Sequence, residues 1–83
     1  MRKIHLHDTV ALTEDTKAQR FLSGGKILLR RGQVGTVVEE LGQGEAFEIE
    51  FAQADGQAYA MLAIKPEKLM LLYYEPLELA AAS

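Results

Sequence analysis

Cysteine and tryptophan are absent from this chain of 83 residues, and serine occurs only twice. The lack of cysteine excludes disulfide bonds, thiolate metal sites and cysteine nucleophiles. Neither Ser23 nor Ser83 lies in a G-x-S-x-G motif, and Gly24-Gly25-Lys26 lacks the spacing of a phosphate-binding loop. We therefore predict a protein that is not an enzyme and that uses no cofactor.

Long apolar runs are also missing, because no stretch approaches the roughly 18 residues of a membrane-spanning helix. The segment Met1–Asp8 carries charge without an apolar core behind it, unlike a signal peptide. We expect a cytoplasmic protein with no membrane contact. With 9 basic and 12 acidic side chains the net charge is −3, which makes nucleic acid a disfavoured partner.

The composition that is present, 48% apolar and 25% charged, is typical of a globular protein. A chain of this length has room for one domain. We predict a single domain over residues 1–83, with a folded core at about 6–74 and a tail at 75–83.

Alternation is clearest between Glu45 and Ala52. Phe47, Ile49 and Phe51 alternate there with Glu48 and Glu50. Period two predicts an antiparallel strand with one face in the core and the carboxylates in water. We interpret these glutamates as a solvated face rather than as an acid–base pair.

Further strands are predicted at Asp8–Glu14, Gln33–Leu41, Gln57–Ile64 and Met70–Tyr74. Gly35 within the second of them indicates a bulge or a sharp bend. Turns are predicted at residues 42–45 and at Asp55-Gly56, where glycine accepts positive φ. Pro66 predicts a single 3₁₀ turn before the last strand, which would pair with the first.

The connection from residue 15 to 32 is harder to interpret. Thr16–Leu22 is compatible with a helical turn, Ser23-Gly24-Gly25 with a flexible break, and Ile27–Leu29 with packing onto the core. Five short strands and one long early loop predict an all-β, SH3-like five-stranded barrel. The alternative is an open meander sheet crossed by one helix built from the long loop.

Three groups of residues resemble a known family: residues 6–15, residues 31–39, and residues 46–51 together with 55–56 and 59–62. The sequence is similar to domain of unknown function 4926, a group of small bacterial proteins frequent in cyanobacteria, over about Leu6 to Leu72. The resemblance implies an SH3-like barrel and brings no activity or catalytic residues. The connector around residues 18–26 is longer than the family pattern. Residues 32–35 also resemble the KOW-type ribosomal barrels.

His5, His7 and Asp8 are the residues most suggestive of a metal site. On an extended strand both imidazoles would share a face. A third and a fourth ligand are not evident, whereas zinc prefers a complete tetrahedral set. We therefore predict no metal site and a solvated approach to the first strand.

Five of the nine basic residues fall between Lys17 and Arg31. They form either a patch for an acidic partner or a solvated loop. Tyr73-Tyr74 places one ring in the core and one at the surface, where it is either a contact residue or a half-buried strand aromatic. The candidate partner-binding residues are Arg20, Phe21, Lys26, Arg30, Arg31 and Tyr74.

We predict a non-catalytic interaction module whose partner is another protein, acidic or encoded nearby, with a homodimer as a further option. One alternative is RNA or ribosome binding through the basic loop, although Phe21 is its sole neighbouring aromatic. Another is a small barrel toxin or nuclease, for which His5, His7 and Arg31 are the conceivable residues.

Overall fold

The computed structural model describes residues 3–80, which form seven β-strands and one 3₁₀ helix, Pro66–Lys68. The strands are β1 (Thr9–Leu12), β2 (Thr16–Gln19), β3 (Lys26–Leu29), β4 (Val34–Leu41), β5 (Ala46–Ala52), β6 (Ala58–Ile64) and β7 (Leu69–Leu71). The prediction of an all-β fold is confirmed, as are the turns before and after β5 and the 3₁₀ turn at Pro66. Among residues 3–80, no helix has the length and hydropathy needed to cross a membrane.

Five strands form one antiparallel sheet in the order β6-β5-β4-β1-β7. The first and last strands of the predicted set do pair, with Val10 opposite Leu71 and Leu12 opposite Leu69. The sheet nevertheless ends at β6 on one side and at β7 on the other, and these edges do not pair with each other. The predicted closure into a five-stranded barrel is therefore not observed.

The alternation in β5 has the predicted result. Phe47, Ile49 and Phe51 are buried, whereas Glu48 and Glu50 remain half-buried on the other face. The core combines them with residues from the other strands: Val10, Ala11, Leu12, Leu29, Val37, Ala60, Ile64 and Leu69. Because neighbouring strands contribute to one apolar layer, burial of this layer stabilises the sheet.

Gly35 was predicted to mark a bulge or a sharp bend, and the bulge of β4 lies elsewhere. The register of β4 against β5 shifts between Val37 and Glu39, so the extra residue is Val38. Gly35 is buried in a regular part of β4. Its small size serves packing, since a Cβ there would lie 2.6 Å from Cγ2 of Ile49.

The long loop predicted between residues 15 and 32 is a β-hairpin, β2–β3, and the helical turn predicted for Thr16–Leu22 is wrong. Along β2, Thr16 and Ala18 are half-buried while Lys17 and Gln19 are exposed, which is period two rather than the helical period. At the tip of this hairpin Leu22 adopts a φ of 65°, a left-handed conformation that is costly for leucine.

The hairpin folds against the sheet at two points. Its tip lies beside β6, because the backbone N–H of Phe21 donates to the carbonyl oxygen of Tyr59 at 2.9 Å. Its other end places Leu29 in the core. The hairpin therefore contacts the start of β6 at Tyr59 without continuing the sheet.

The last strand is shorter than predicted, because β7 ends at Leu71 instead of Tyr74. The backbone N–H of Leu72 still donates to the carbonyl of Thr9, and residues 73–80 are exposed with neither helix nor strand. Tyr73 and Tyr74 are both exposed, so the prediction that one of them is a core residue is wrong. Residues 81–83 of the predicted tail lie outside the described residues.

Candidate interaction cleft

A cleft of about 830 Å³ lies between the β2–β3 hairpin and strand β6; we call it the hairpin cleft. Its lining residues are Lys17, Ala18, Gln19, Arg20, Phe21, Lys26, Ile27, Leu28, Met61 and Leu62. The hairpin supplies one wall, and β6 supplies the other. No acidic side chain lines it among the described residues.

The apolar part of the hairpin cleft is unusually exposed. Phe21, Leu28 and Met61 are all classed among the exposed large hydrophobic residues, and Leu22 at the adjacent tip is 107% exposed. Single exposed apolar side chains are ordinary, but a cluster at one place marks a contact surface. The backbone of Leu22 is strained, and no burial of its side chain offsets the cost of that strain. Strained residues tend to occur at functional sites.

Three cations surround this apolar surface: Lys17, Arg20 and Lys26. The pairing of β2 with β3 sets Lys17 opposite Leu28, so a charged and an apolar side chain lie side by side on one face of the hairpin. None of these cations forms an ion pair with a carboxylate among residues 3–80, where the contacts of this kind are Lys68–Glu14 and, when the imidazole is protonated, His5–Asp8. Their charge is therefore available to a ligand.

Arg20 has a defined position. Its Cζ lies 5.0 Å from the centre of the Tyr59 ring, a distance typical of a cation–π interaction. The Tyr59 hydroxyl in turn accepts a hydrogen bond from Nε2 of Gln33, the last residue before β4. The sequence analysis did not identify Gln33 and Tyr59 as residues that position Arg20. The apolar character of both faces of β6 was a signal for Tyr59, and no signal was available for Gln33.

The β6 edge beside the cleft has unused backbone groups. The Tyr59 carbonyl points away from β5, since it accepts from the hairpin. Backbone groups alternate from side to side along a strand, so the N–H and C=O groups of Met61 and Ala63 point the same way. No described residue hydrogen-bonds to them. Such an edge accepts a further strand.

The six predicted partner-binding residues are divided by the structure. Arg20, Phe21 and Lys26 come together in the hairpin cleft. Arg30 and Arg31 lie in the turn after β3. The backbone N–H of Arg30 donates to Oε1 of Gln33, and the backbone N–H of Arg31 donates to Oδ1 of Asp15. Tyr74 is 93% exposed and belongs to the segment after β7.

Arg31 lines a smaller cleft of about 450 Å³ together with Thr13 and Met70. No histidine lines that cleft within residues 3–80, so His5 and His7 are not assembled with Arg31 there. A third cleft, of about 610 Å³, carries one cation, Lys3, and one anion, Glu67. The hairpin cleft differs from both in its three cations.

The segment before β1 is a turn and not the extended strand expected for His5 and His7. His7 has a φ of 73°, and Asp8 accepts a hydrogen bond from the backbone N–H of His5 at 2.7 Å. The two imidazoles therefore do not share a strand face. In the part of the chain from Lys3 to Ala80, no three histidine, aspartate or glutamate residues are grouped as metal ligands would be.

Fold and cleft together define a small antiparallel β-sheet domain with a basic and apolar cleft at one sheet edge. The chain belongs to the family described as a domain of unknown function (DUF4926), whose model matches residues 6–71. This confirms the resemblance found in the sequence. The match includes all seven strands and the hairpin cleft, and it ends before the exposed C-terminal segment. Comparisons with curated proteins and with solved structures gave no match.

Proposed function

We propose that this protein is a non-catalytic interaction module that binds an acidic, extended segment of another protein in the hairpin cleft. The observation that carries the proposal is the position of three cations without ion-pair partners around exposed apolar side chains, next to an unpaired strand edge. Each feature selects one property of the ligand: negative charge, apolar side chains and an extended backbone.

Binding would proceed by strand addition to β6. The ligand backbone hydrogen-bonds with the N–H and C=O groups of Met61 and Ala63, which provides affinity independent of its sequence. Apolar ligand side chains lie against Phe21 and Leu28, and carboxylates lie near the cations. Arg20 needs little reorganisation on binding because Tyr59 already orients it.

The proposal includes an SH3-like arrangement in which the hairpin, and not strand pairing, covers the gap between the sheet edges. Support comes from the five antiparallel strands, from the pairing of β1 with β7 and from the contact between Phe21 and Tyr59. A cytoplasmic location in a bacterial cell, expected from the sequence and its family resemblance, also belongs to this proposal.

The test is an NMR titration of the full chain with a ten-residue peptide that alternates glutamate and leucine. We expect shift changes concentrated in β2, β3 and β6, and slowed exchange of the Met61 and Ala63 amides. The cleft variant Lys17→Glu/Arg20→Glu/Lys26→Glu should bind at least about tenfold more weakly, because each lost partly exposed pair contributes roughly 0.2–1 kcal/mol and the new charges repel.

The control variant Arg30→Glu/Arg31→Glu/Lys65→Glu changes the net charge equally at exposed positions outside the cleft. It should keep its affinity within about twofold at moderate salt, since these side chains do not line the cleft and salt weakens the effect of exposed charges. Equal losses in the two variants would refute a specific cleft. Single-stranded RNA that displaces the peptide and binds more tightly would favour the RNA-binding alternative instead.

A further inference from the structure

The C-terminal arm, which we define as residues 74–79, leaves the folded body without contacts that bury it. Tyr74, Leu77 and Leu79 are among the most exposed apolar residues of the described chain. The radius of gyration is 14.7 Å, whereas a compact chain of this length has about 12 Å. The arm thus presents apolar side chains to water, and their burial elsewhere would be favourable.

The arm has the properties that the hairpin cleft selects. It contains two carboxylates, Glu75 and Glu78, and no cation. Leu77 and Leu79 are two residues apart, so they share one face when the backbone is extended. The arm is also free of helix, and apart from Pro76, which has no N–H to donate, it can pair as an edge strand without unfolding first.

The topology favours a cleft on another molecule. The arm follows β7, and three strands separate β7 from β6 in the sheet. Measured along the sheet, four inter-strand steps amount to about 19 Å, which is close to the full reach of the residues from Leu72 to Leu77. A chain that crossed its own sheet would therefore use up the residues that must pair with β6.

We propose that the C-terminal arm of one copy adds as a strand to β6 in the hairpin cleft of a second copy, and that the exchange is reciprocal. This inference rests on the proposed function, because it assigns a ligand to the same cleft. Reciprocal exchange closes into a twofold dimer with two identical contacts. The arm then competes with any acidic partner protein, so partner binding and self-association exclude each other.

The test is sedimentation velocity of the full chain over a wide range of concentration. We expect a concentration-dependent dimer for the unaltered chain. The arm variant Leu77→Ser/Leu79→Ser and the cleft variant Lys17→Glu/Arg20→Glu/Lys26→Glu should each remain monomeric. The control variant Arg30→Glu/Arg31→Glu/Lys65→Glu should dimerise like the unaltered chain.

Mixing decides between exchange and other modes of association. The arm variant keeps an intact cleft, and the cleft variant keeps an intact arm, so an equimolar mixture should form a heterodimer through one contact. An unaltered chain that stays monomeric, an arm variant or cleft variant that still self-associates, or a mixture that yields no heterodimer would each overturn the inference. An arm bound to its own cleft belongs to the first outcome, because the unaltered chain then stays monomeric.

Failure of this inference is separable from failure of the proposed function. The arm variant should still bind the alternating glutamate–leucine peptide, because its cleft is unchanged. If the peptide binds while the unaltered chain stays monomeric, the cleft is a binding site and only its self-ligand is refuted. If neither occurs, the proposed function is refuted as well.

Discussion

At Gly35 strand β4 lies so close to β5 that a single methyl group decides the packing. A Cβ at this position would lie 2.6 Å from Cγ2 of Ile49 and 3.0 Å from the backbone oxygen of Glu50. We expect Gly35→Ala to lower the free energy of unfolding by about 1–3 kcal/mol, the usual cost of overpacking a core. Urea denaturation of the two chains measures this difference.

Gly25→Ala is the matched control for that substitution. Its added Cβ would meet only Oγ of Ser23, at 3.4 Å, and Gly25 does not have a positive φ. The free energy of unfolding should change by less than about 0.5 kcal/mol, as at an ordinary surface position. Losses of the same size at the two glycines would mean that the close approach at Gly35 does not limit packing.

Residue roles were predictable where they follow from period alone. The burial of Phe47, Ile49 and Phe51 follows from alternation and needs no knowledge of the neighbouring strand. Gly35 was recognised as a special position and predicted to mark a bulge or a sharp bend, but the bulge lies between Val37 and Glu39. A glycine in a strand indicates that space is short, but it does not identify the residue that lies close to it. The link between Arg20 and Tyr59 joins distant parts of the chain, and no local pattern indicates it.

Within the β2–β3 hairpin, two adjacent leucines have opposite environments. Leu29 is 1% exposed in the core, whereas Leu28 is 53% exposed in the hairpin cleft. We expect Leu29→Ala to lower the free energy of unfolding by about 2–5 kcal/mol, because it removes buried methyl groups and leaves a cavity. Leu28→Ala should cost less than about 1 kcal/mol and should instead weaken binding of the acidic peptide.

Denaturation curves and the peptide titration of these two variants test that division. A larger loss of stability from Leu28→Ala than from Leu29→Ala would mean that the hairpin packs through its other face. The hairpin itself was not predicted, because β2 is four residues long and Ala18 is its one apolar residue. Its strand conformation comes from pairing with β3 and from the contact with β6, which are tertiary effects.

For the whole molecule, the family and the all-β class were predicted correctly from the sequence, whereas the predicted closure of the sheet into a barrel is not observed. Closure depends on strand tilt and stagger, which alternation does not encode. The basic segment was recognised correctly as a concentration of charge. The structure divides these basic residues between the hairpin cleft, which has Lys17, Arg20 and Lys26, and the turn after β3, which has Arg30 and Arg31. This division depends on β3 ending at Leu29, which the sequence pattern did not indicate.

The folded body should be complete without the C-terminal arm. A chain that ends at Tyr73 keeps every strand and the hydrogen bond from Leu72 to Thr9. At a concentration low enough to prevent association, its free energy of unfolding should therefore match that of the full chain within about 0.5 kcal/mol. Its radius of gyration in X-ray scattering should fall from 14.7 Å toward about 12 Å. A destabilisation above about 1 kcal/mol would show that the arm packs on its own body, and exchange with a second copy would then lose its structural basis.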